Sequence, residues 1–592
     1  MRMDKNGLFQ YRSGIVTILI YRIFTKLLLV LIYFLMRRIA GLLLWGAGRP
    51  AFTSGDIPFF LRSWQGWCLA LVGIATLAFY ISMDINITII MCDNVLYRRG
   101  KRFLAMIKEA VLGIGNLFSF SGLLAVLYVS FIIPIFGVAT GISPTGNFRI
   151  PDFIMSFIRQ HFWMKTGYRM ILFLLVVLGC LFGLTFIIMV TDNIKARAAM
   201  SMSCKFVAGQ WRNILKGLIP PLLKILMAAV LCIGIPAVTA FFFIEEYVTG
   251  KTEKRFGYIL CIFLILAAIT FIRAILGVVV TMKLTMLYKS LGGKKQQPLP
   301  PVRRFGKKIP AIIFCAALII AVSASAMGAM EFDYFFPLKS RTHIIGHRGA
   351  GFASSENTVE SIVTAEKKGL FASEIDVQRT KDGKYIINHD DDFKRTCGVD
   401  QTPGEMTFDQ IARLRVKNVL NTKAPGQHVA TIEEMLDAAK GKLNLYVELK
   451  GKTADRKMAD DLYELVKRRE ALRHTTFICL KYDLIEYLEK KHPDAETGYI
   501  CFYSFGDLEK MSCDSLLLEM ETATQVNVDR IHRANKKVVV WTVNAVGSIN
   551  SFLLSAVDAM ITDEVENAIS IKKFLYSRGD LLRILDAIWI ET

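Results

Sequence analysis

Closely spaced cysteines are missing from this 592-residue chain: its eleven cysteines are scattered and no C-x-x-C pair occurs. That argues against a disulfide framework and against a cysteine-based zinc site. Cys92, Cys180, Cys232 and Cys315 fall in or beside apolar runs, where they read as small apolar residues. Acidic residues are also in short supply, 51 against 72 Lys plus Arg, for a formal charge of +21. Such an excess could suit nucleic acid, but much of it lies in short loops beside apolar segments, the arrangement that membrane topology requires. Nucleic acid is therefore not an expected partner. No cleavable signal peptide is evident either, because the N-terminal basic residues lead into an apolar run without a small-residue cleavage site.

What the chain has in abundance is apolar surface: 53% hydrophobic residues and a mean hydropathy of +0.40. The 21% of charged residues is too much for a pure membrane bundle. Both facts fit a membrane half joined to a soluble half, and the length calls for two or more domains. Runs of about twenty apolar residues predict transmembrane helices at 27–47, 67–91, 117–139, 169–190, 218–244, 257–282 and 309–330, with Arg37 and Arg38 interrupting the first. Basic loops after the second and fourth spans, and at 289–308 before the last, fall on one side if the helices alternate. Positive charge prefers the cytoplasm, so the N-terminus is expected inside and residue 331 onward outside. Loop 141–168, with Arg149, Arg159 and Lys165, runs against that rule. Arg273, deep in an apolar span, is read as a structural contact or as a lipid-headgroup or substrate contact.

From residue 340 the pattern changes to short apolar strands alternating with polar-faced helices. Strands are expected at 343–347, 371–377, 384–389, 443–449, 475–480, 497–502, around 523–526, 537–543 and 558–562. Such alternation predicts a parallel sheet, and its length suits an α/β TIM barrel. The expected architecture is thus an N-terminal all-α transmembrane bundle of about seven helices (1–335) followed by a TIM-barrel catalytic domain (340–570). An insertion at 391–430 would lie over the barrel mouth, and 571–592 would form an amphipathic closing or membrane-surface helix.

The chemistry concentrates in His343–Asp392. Two apolar runs lead into His347 and His389. Between them, Glu374 and Asp376 flank Ile375, and a strand's period of two puts both carboxylates on one face. A hard divalent cation is the simplest way to hold them together. Arg348, with its planar fork of donors, suits phosphate. The residues therefore suggest metal-assisted phosphoryl chemistry, with the two imidazoles near neutrality available as acid and base.

The series His347-Arg348-Gly349, Glu356-Asn357-Thr358, Glu374-Ile375-Asp376-Val377, Thr380-Lys381-Asp382-Gly383 and His389-Asp390 resembles the glycerophosphodiester phosphodiesterase family. Glu448-Leu449-Lys450, Trp541-Thr542-Val543-Asn544 and Ile561-Thr562-Asp563 continue the resemblance, and the membrane half resembles the bacterial membrane-integrated type. Ser355 and Glu564 stand where the family favours proline. The resemblance implies catalytic His347 and His389, metal ligands Glu374, Asp376 and Glu448 for Ca2+ or Mg2+, and phosphate contacts from Arg348 and Lys450. It implies substrate-side roles for Glu356, bracing Arg348, and for Trp541, stacking on glycerol or a headgroup. The implied reaction splits a glycerophosphodiester into glycerol 3-phosphate and an alcohol through a cyclic phosphate formed by the substrate's own 2-hydroxyl. Substrates would be lipid-derived headgroups, lysolipids or polyglycerophosphates at the outer membrane surface. The alternatives are a lysophospholipase-D-like enzyme and a transport or sensing protein whose barrel only binds.

Overall fold

The computed structural model describes residues 12–97, 99–117, 119–127, 155, 158, 161–292, 308–336, 340–417 and 426–591. The chain divides into two compact units, one of residues 1–40, 67–149 and 157–332, the other of 41–66, 150–156 and 333–592.

The first unit is helical. Four of its helices are long and apolar enough to cross a membrane among the described residues: Gly14–Gly46, Phe162–Asp192, Ala196–Tyr247 and Lys251–Leu291. A fifth candidate, Phe103–Leu117 with Phe120–Val126, is bent by 118°, and Trp64–Leu77 and Cys315–Met330 are shorter apolar helices. Each of the seven expected spans falls at least partly on one of these. Residues 128–139 of the third span, Arg149, Arg159 and 293–307 of the basic linker lie outside the described residues. Arg37 and Arg38 do not break the first helix, which runs unbroken from Arg12 to Gly46. The apolar window of Ala196–Tyr247 has no buried residue, a surface that only hydrocarbon would solvate well. Pro220 and Pro221 withhold two backbone donors within Ala196–Ala229, and a π-turn follows at Val230–Gly234. Two of the buried cations in this unit are paired, Arg22 with Asp84 at 3.5 Å and Lys289 with Asp93, which lowers the cost of burying them.

The second unit contains the strands β1 (Ala51–Thr53), β2 (His343–Gly346), β3 (Ala372–Arg379), β4 (Tyr385–Ile387), β5 (Arg415–Val416), β6 (Gln427–His428), β7 (Asn444–Leu449), β8 (Thr475–Cys479), β9 (Glu496–Cys501), β10 (Ser504–Gly506), β11 (Ser515–Glu519), β12 (Lys537–Trp541) and β13 (Ala559–Thr562). Strands β2, β3, β7, β8, β9, β11, β12 and β13 pair in parallel, and β13 closes on β2, with Thr562 opposite Gly346. The expected eight-stranded barrel is therefore present. Helices packed outside it carry apolar stripes; Arg456–Arg468 buries Met458, Ala459, Leu462, Tyr463 and Val466.

Alternation along the strands fixes what faces inward. Ile375, Val377, Val447 and Leu449 join the core between strands and helices. Ile345, Tyr446, Ile478, Ile500, Leu517, Val539 and Ile561 fill the barrel itself. Two residues further along those same chains come His347, Glu448, Leu480, Phe502, Glu519, Trp541 and Asp563, which by parity belong to the C-terminal mouth.

Three expectations change. The strand placed around 523–526 is instead β11 at Ser515–Glu519, while Thr524 caps a helix that starts at Gln525. All five β11 residues are buried, so the run shows no alternation to read. The 391–430 insertion has structure of its own: short helices at Lys394–Cys397 and Phe408–Ile411, the β5–β6 hairpin, and a small core of Ile386, Phe393, Met406, Ile411, Val416 and Val429. Residues 418–425 lie outside the described residues. The third change is β1, which pairs antiparallel with β10 and so makes residues 41–66 part of the barrel unit. At the other end of the chain, helix Asp580–Glu591 packs through buried Ile584 and through Asp586, which accepts from Asn550 at 3.0 Å.

Candidate active site at the barrel mouth

The turn after β2 holds Arg348 (φ +51°) and Gly349 (φ +107°) in left-handed backbone conformations. A side chain at Gly349 would meet Ser361 Oγ at 1.9 Å, so only glycine fits there. The turn aims His347 into the mouth. Its Nδ1 lies 2.7 Å from Asp563 Oδ1, and Asp563 Oδ2 accepts from Asn544 Nδ2 at 2.7 Å. Asp563 thereby fixes the tautomer and leaves Nε2 facing Glu374 Oε2 at 4.0 Å. Burial works against the imidazolium of His347, but the charge and hydrogen bond of Asp563 outweigh it and raise its pKa. Burial likewise opposes ionisation of Asp563, yet His347 holds it down to about 2.

His389 follows β4, with Nδ1 at 2.8 Å from Asp390 Oδ1. Here burial dominates and the imidazole pKa is lowered, against the pull of Asp376 and Asp390. Arg395 donates to Asp390 Oδ2 at 2.7 Å and to both oxygens of Glu356, at 2.7 and 2.5 Å. Arg348 Nη1 donates to Glu356 Oε1 at 3.1 Å. Glu356 thus accepts from both Arg348 and Arg395, within a chain Arg348–Glu356–Arg395–Asp390–His389.

Glu374, Asp376 and Glu448 come together on β3 and β7, buried, each offering an oxygen within 4.8 Å of the other two. Asn357 Nδ2 donates to Asp376 Oδ2 at 2.8 Å, so Asn357 steadies this carboxylate while Thr358 caps the following helix. Glu374 Oε1 is buried with no hydrogen-bond partner among the described residues. Lys450 Nζ sits between Glu448 Oε2 (2.9 Å) and Asp376 Oδ1 (3.1 Å), so its ammonium is engaged with the acids. Burial and the neighbouring Asp376 push Glu374 up to about 8. Burial raises Glu448 to about 7 despite Lys450. For Asp376, burial is overcome by Lys450, His389 and Arg348, which hold it far below the usual range. Three clustered carboxylates, an orphaned oxygen and an oxygen-only donor set fit a hard cation such as Ca2+ or Mg2+.

A cleft of about 430 Å³ runs through this group, lined by His347, Glu374, His389, Glu448, Lys450, Ile478, Leu480, Ile500, Leu517, Trp541, Thr542 and Ile561. Trp541 is half-buried, with Nε1 donating to Leu517 O at 2.9 Å and the ring on the cleft wall. Lys381-Asp382-Gly383 is a turn, with Gly383 at φ +82°. The mouth thus brings together His347, His389, Glu374, Asp376, Glu448, Lys450 and Trp541, with Arg348 and Glu356 one step behind. Sequence reasoning missed jobs for Asp563, Asn544 and Arg395. The parity of β13 could have flagged Asp563; nothing in its neighbourhood marks Arg395.

Fold and site together define a barrel-type phosphodiesterase coupled to a membrane domain. Residues 347–567 match the glycerophosphoryl diester phosphodiesterase family, and residues 5–325 match the membrane domain of glycerophosphoryl diester phosphodiesterase. The glycerophosphodiester phosphodiesterase of Caldanaerobacter subterraneus is 24% identical over 39% of this chain and 98% of its own. That of Bacillus subtilis is 31% identical over 22% of this chain and 46% of its own. The crystal structure of a glycerophosphodiester phosphodiesterase from Parabacteroides distasonis covers 40% of this chain and 99% of its own, at 23% identity and a TM-score of 0.34. The chain belongs to the glycerophosphoryl diester phosphodiesterase family, as a member with a membrane domain, and is an enzyme of that activity.

Proposed function

We propose that this membrane protein hydrolyses glycerophosphodiesters to glycerol 3-phosphate and an alcohol, with His347 and His389 exchanging protons across one phosphate. The observation that carries the reading is the meeting of two imidazoles, three buried carboxylates and Lys450 around a single cleft. Glu374, Asp376 and Glu448 would hold Ca2+ or Mg2+. Bound there, the ion supplies Lewis-acid polarisation of a phosphoryl oxygen. Lys450 neutralises the charge that builds on the non-bridging oxygens, and Arg348, oriented by Glu356, adds donors from the neighbouring turn. Trp541 offers a flat apolar face to the glycerol unit. One histidine takes a proton from the attacking oxygen while the other returns one to the leaving alkoxide.

The substrate's free 2-hydroxyl is the attacking group, because a tethered nucleophile carries a large effective molarity. A 2-deoxy analogue of glycerophosphocholine should be turned over far more slowly than the natural diester. Equal turnover would exclude the cyclic route. Replacing either His347 or His389 by alanine should lower kcat on glycerophosphocholine by about 10²–10⁴. Activity within twofold of the parent in both variants would remove the histidines from the mechanism.

The barrel is proposed to face the outside of the cell, with the N-terminus in the cytoplasm. Two features support this: the basic loops at 98–102 and 195–216, and the pairing of β1 with β10. That pairing puts the loop after the first membrane helix on the same side as the barrel.

A further inference from the structure

Arg395 sits on the short helix Lys394–Cys397, in the insertion rather than on a barrel strand. The insertion's own core fixes that helix. Phe393, just before it, is fully buried with Ile386, Met406, Ile411 and Val416. Lys417 N donates to Thr396 O at 2.9 Å and Phe393 N to Gln401 O at 3.1 Å, which ties the helix to the chain that follows it. Arg395 is thereby carried by a folded mount.

Its guanidinium serves two carboxylates at once. Nε donates to Asp390 Oδ2 at 2.7 Å and Nη2 to Asp390 Oδ1 at 3.2 Å. Nη1 and Nη2 donate to Glu356 Oε2 and Oε1. Each carboxylate also serves a group in the cleft: Asp390 Oδ1 partners His389 Nδ1, and Glu356 Oε1 accepts from Arg348 Nη1. A planar fork bridges two carboxylates in this way, whereas a lysine ammonium acts as a point charge. Ion pairs between exposed partners contribute little. Here only Arg395 is nearly half exposed; the side chains of Glu356 and Asp390 are 15% and 26% exposed.

What the bridge does follows from what each carboxylate would do without it. Glu356 with both oxygens free would close on Arg348 as a two-bond fork, the favoured carboxylate–guanidinium geometry. Shared with Arg395, it takes one bond from Arg348, whose Nε is buried with no hydrogen-bond partner among the described residues. The other donors of Arg348 stay available to a phosphate. Asp390 without Arg395 would be free to change rotamer and carry His389 with it. With Oδ2 pinned, Oδ1 stays on Nδ1 and the imidazole keeps its place on the cleft wall.

We propose that Arg395 is a positioning residue for phosphodiester cleavage: by holding Glu356 and Asp390 together, it presents Arg348 to the phosphate and His389 to the reacting oxygens. The inference rests on the phosphodiesterase reading above and gives the insertion a role, as the mount of that guanidinium.

The test uses the full-length protein in detergent with glycerophosphocholine, and compares the parent with Arg395→Ala, Arg395→Lys and, on the same helix, Lys394→Ala. Misplacing a reacting group by about 1 Å costs about 10²-fold in rate, so Arg395→Ala should lose about that much kcat while unfolding at the parent's temperature. It should also bind inorganic phosphate severalfold more weakly. Dilute guanidinium ion, which can refill the bridge, should restore Arg395→Ala by about tenfold or more and leave the parent unchanged. Arg395→Lys should recover only a small part of the loss. Lys394→Ala, which gives up an exposed pair with Asp400, should stay within twofold of the parent. Should the alanine variant not fold, Arg395→Gln carries the same rescue test. Activity of Arg395→Ala or Arg395→Lys within twofold of the parent, an equal loss in Lys394→Ala, or a loss that guanidinium does not relieve overturns the inference. Unchanged phosphate binding in Arg395→Ala overturns its Arg348 half. A parent protein that cleaves no glycerophosphodiester sinks the phosphodiesterase reading itself.

Discussion

His347 and His389 rest on different supports. Asp563, pinned by Asn544, raises the proton affinity of His347, while burial lowers that of His389. Asp563 is the residue whose removal should be most telling. Its carboxyl falls from an ordinary 3.8 to about 2 through its contact with His347, against the opposing effect of burial. A depressed acid contributes stability that is fully present above its unfolded value and is lost as pH falls through the folded one. For Asp563 that is about 2 kcal/mol, lost between pH ~4 and ~2. Asp563→Asn should thus be less stable than the parent at pH 7, with the gap closing by pH 2, as read by circular dichroism against denaturant in detergent. It should also lower kcat about 10²-fold by releasing the imidazole. An unchanged gap across that range would contradict the account. At this scale the sequence was readable where a motif and a strand parity coincide, as for His347, Glu374 and Asp376. Arg395 was not readable, because it reaches Glu356 across 39 positions from an insertion without periodicity.

Among the elements, the strap that residues 41–66 lay across the barrel unit is the least expected. Ala51-Phe52-Thr53 has no strand signature of length or alternation, and its partner Ser504–Gly506 lies some 450 positions away. Pairing at that separation leaves no local trace. The barrel strands were legible by contrast, since each apolar run precedes a helix with a clear stripe. The exception, β11, is buried along its whole length and followed by polar residues that resemble a turn. The strap also carries the argument about sidedness, because a helix that crosses the bilayer before Gly46 leaves its start on the opposite face from β1. In right-side-out membrane vesicles, an epitope at the C-terminus should bind antibody directly, and one at the N-terminus only after permeabilisation. Equal access for both epitopes would contradict the proposed orientation.

The molecule as a whole is built for two solvents. Exposed apolar helices make up one unit, and a barrel with a closed ladder and an apolar interior makes up the other. Composition announced both, because 53% hydrophobic residues and 21% charge cannot share one ordinary soluble core. What composition could not announce was that residues 41–66 join the barrel unit, since their apolar character matches the helices on either side. The claim on which everything else depends is that the buried trio Glu374, Asp376 and Glu448 holds a cation that works with the histidines. The direct measurement is release of glycerol 3-phosphate from glycerophosphocholine by the full-length protein, stripped with chelator and then given Ca2+ or Mg2+ back. The account predicts a loss of about 10²-fold or more on stripping, restored by cation in the parent and not in Asp376→Asn. Undiminished activity in excess chelator, with Asp376→Asn equal to the parent, would contradict it.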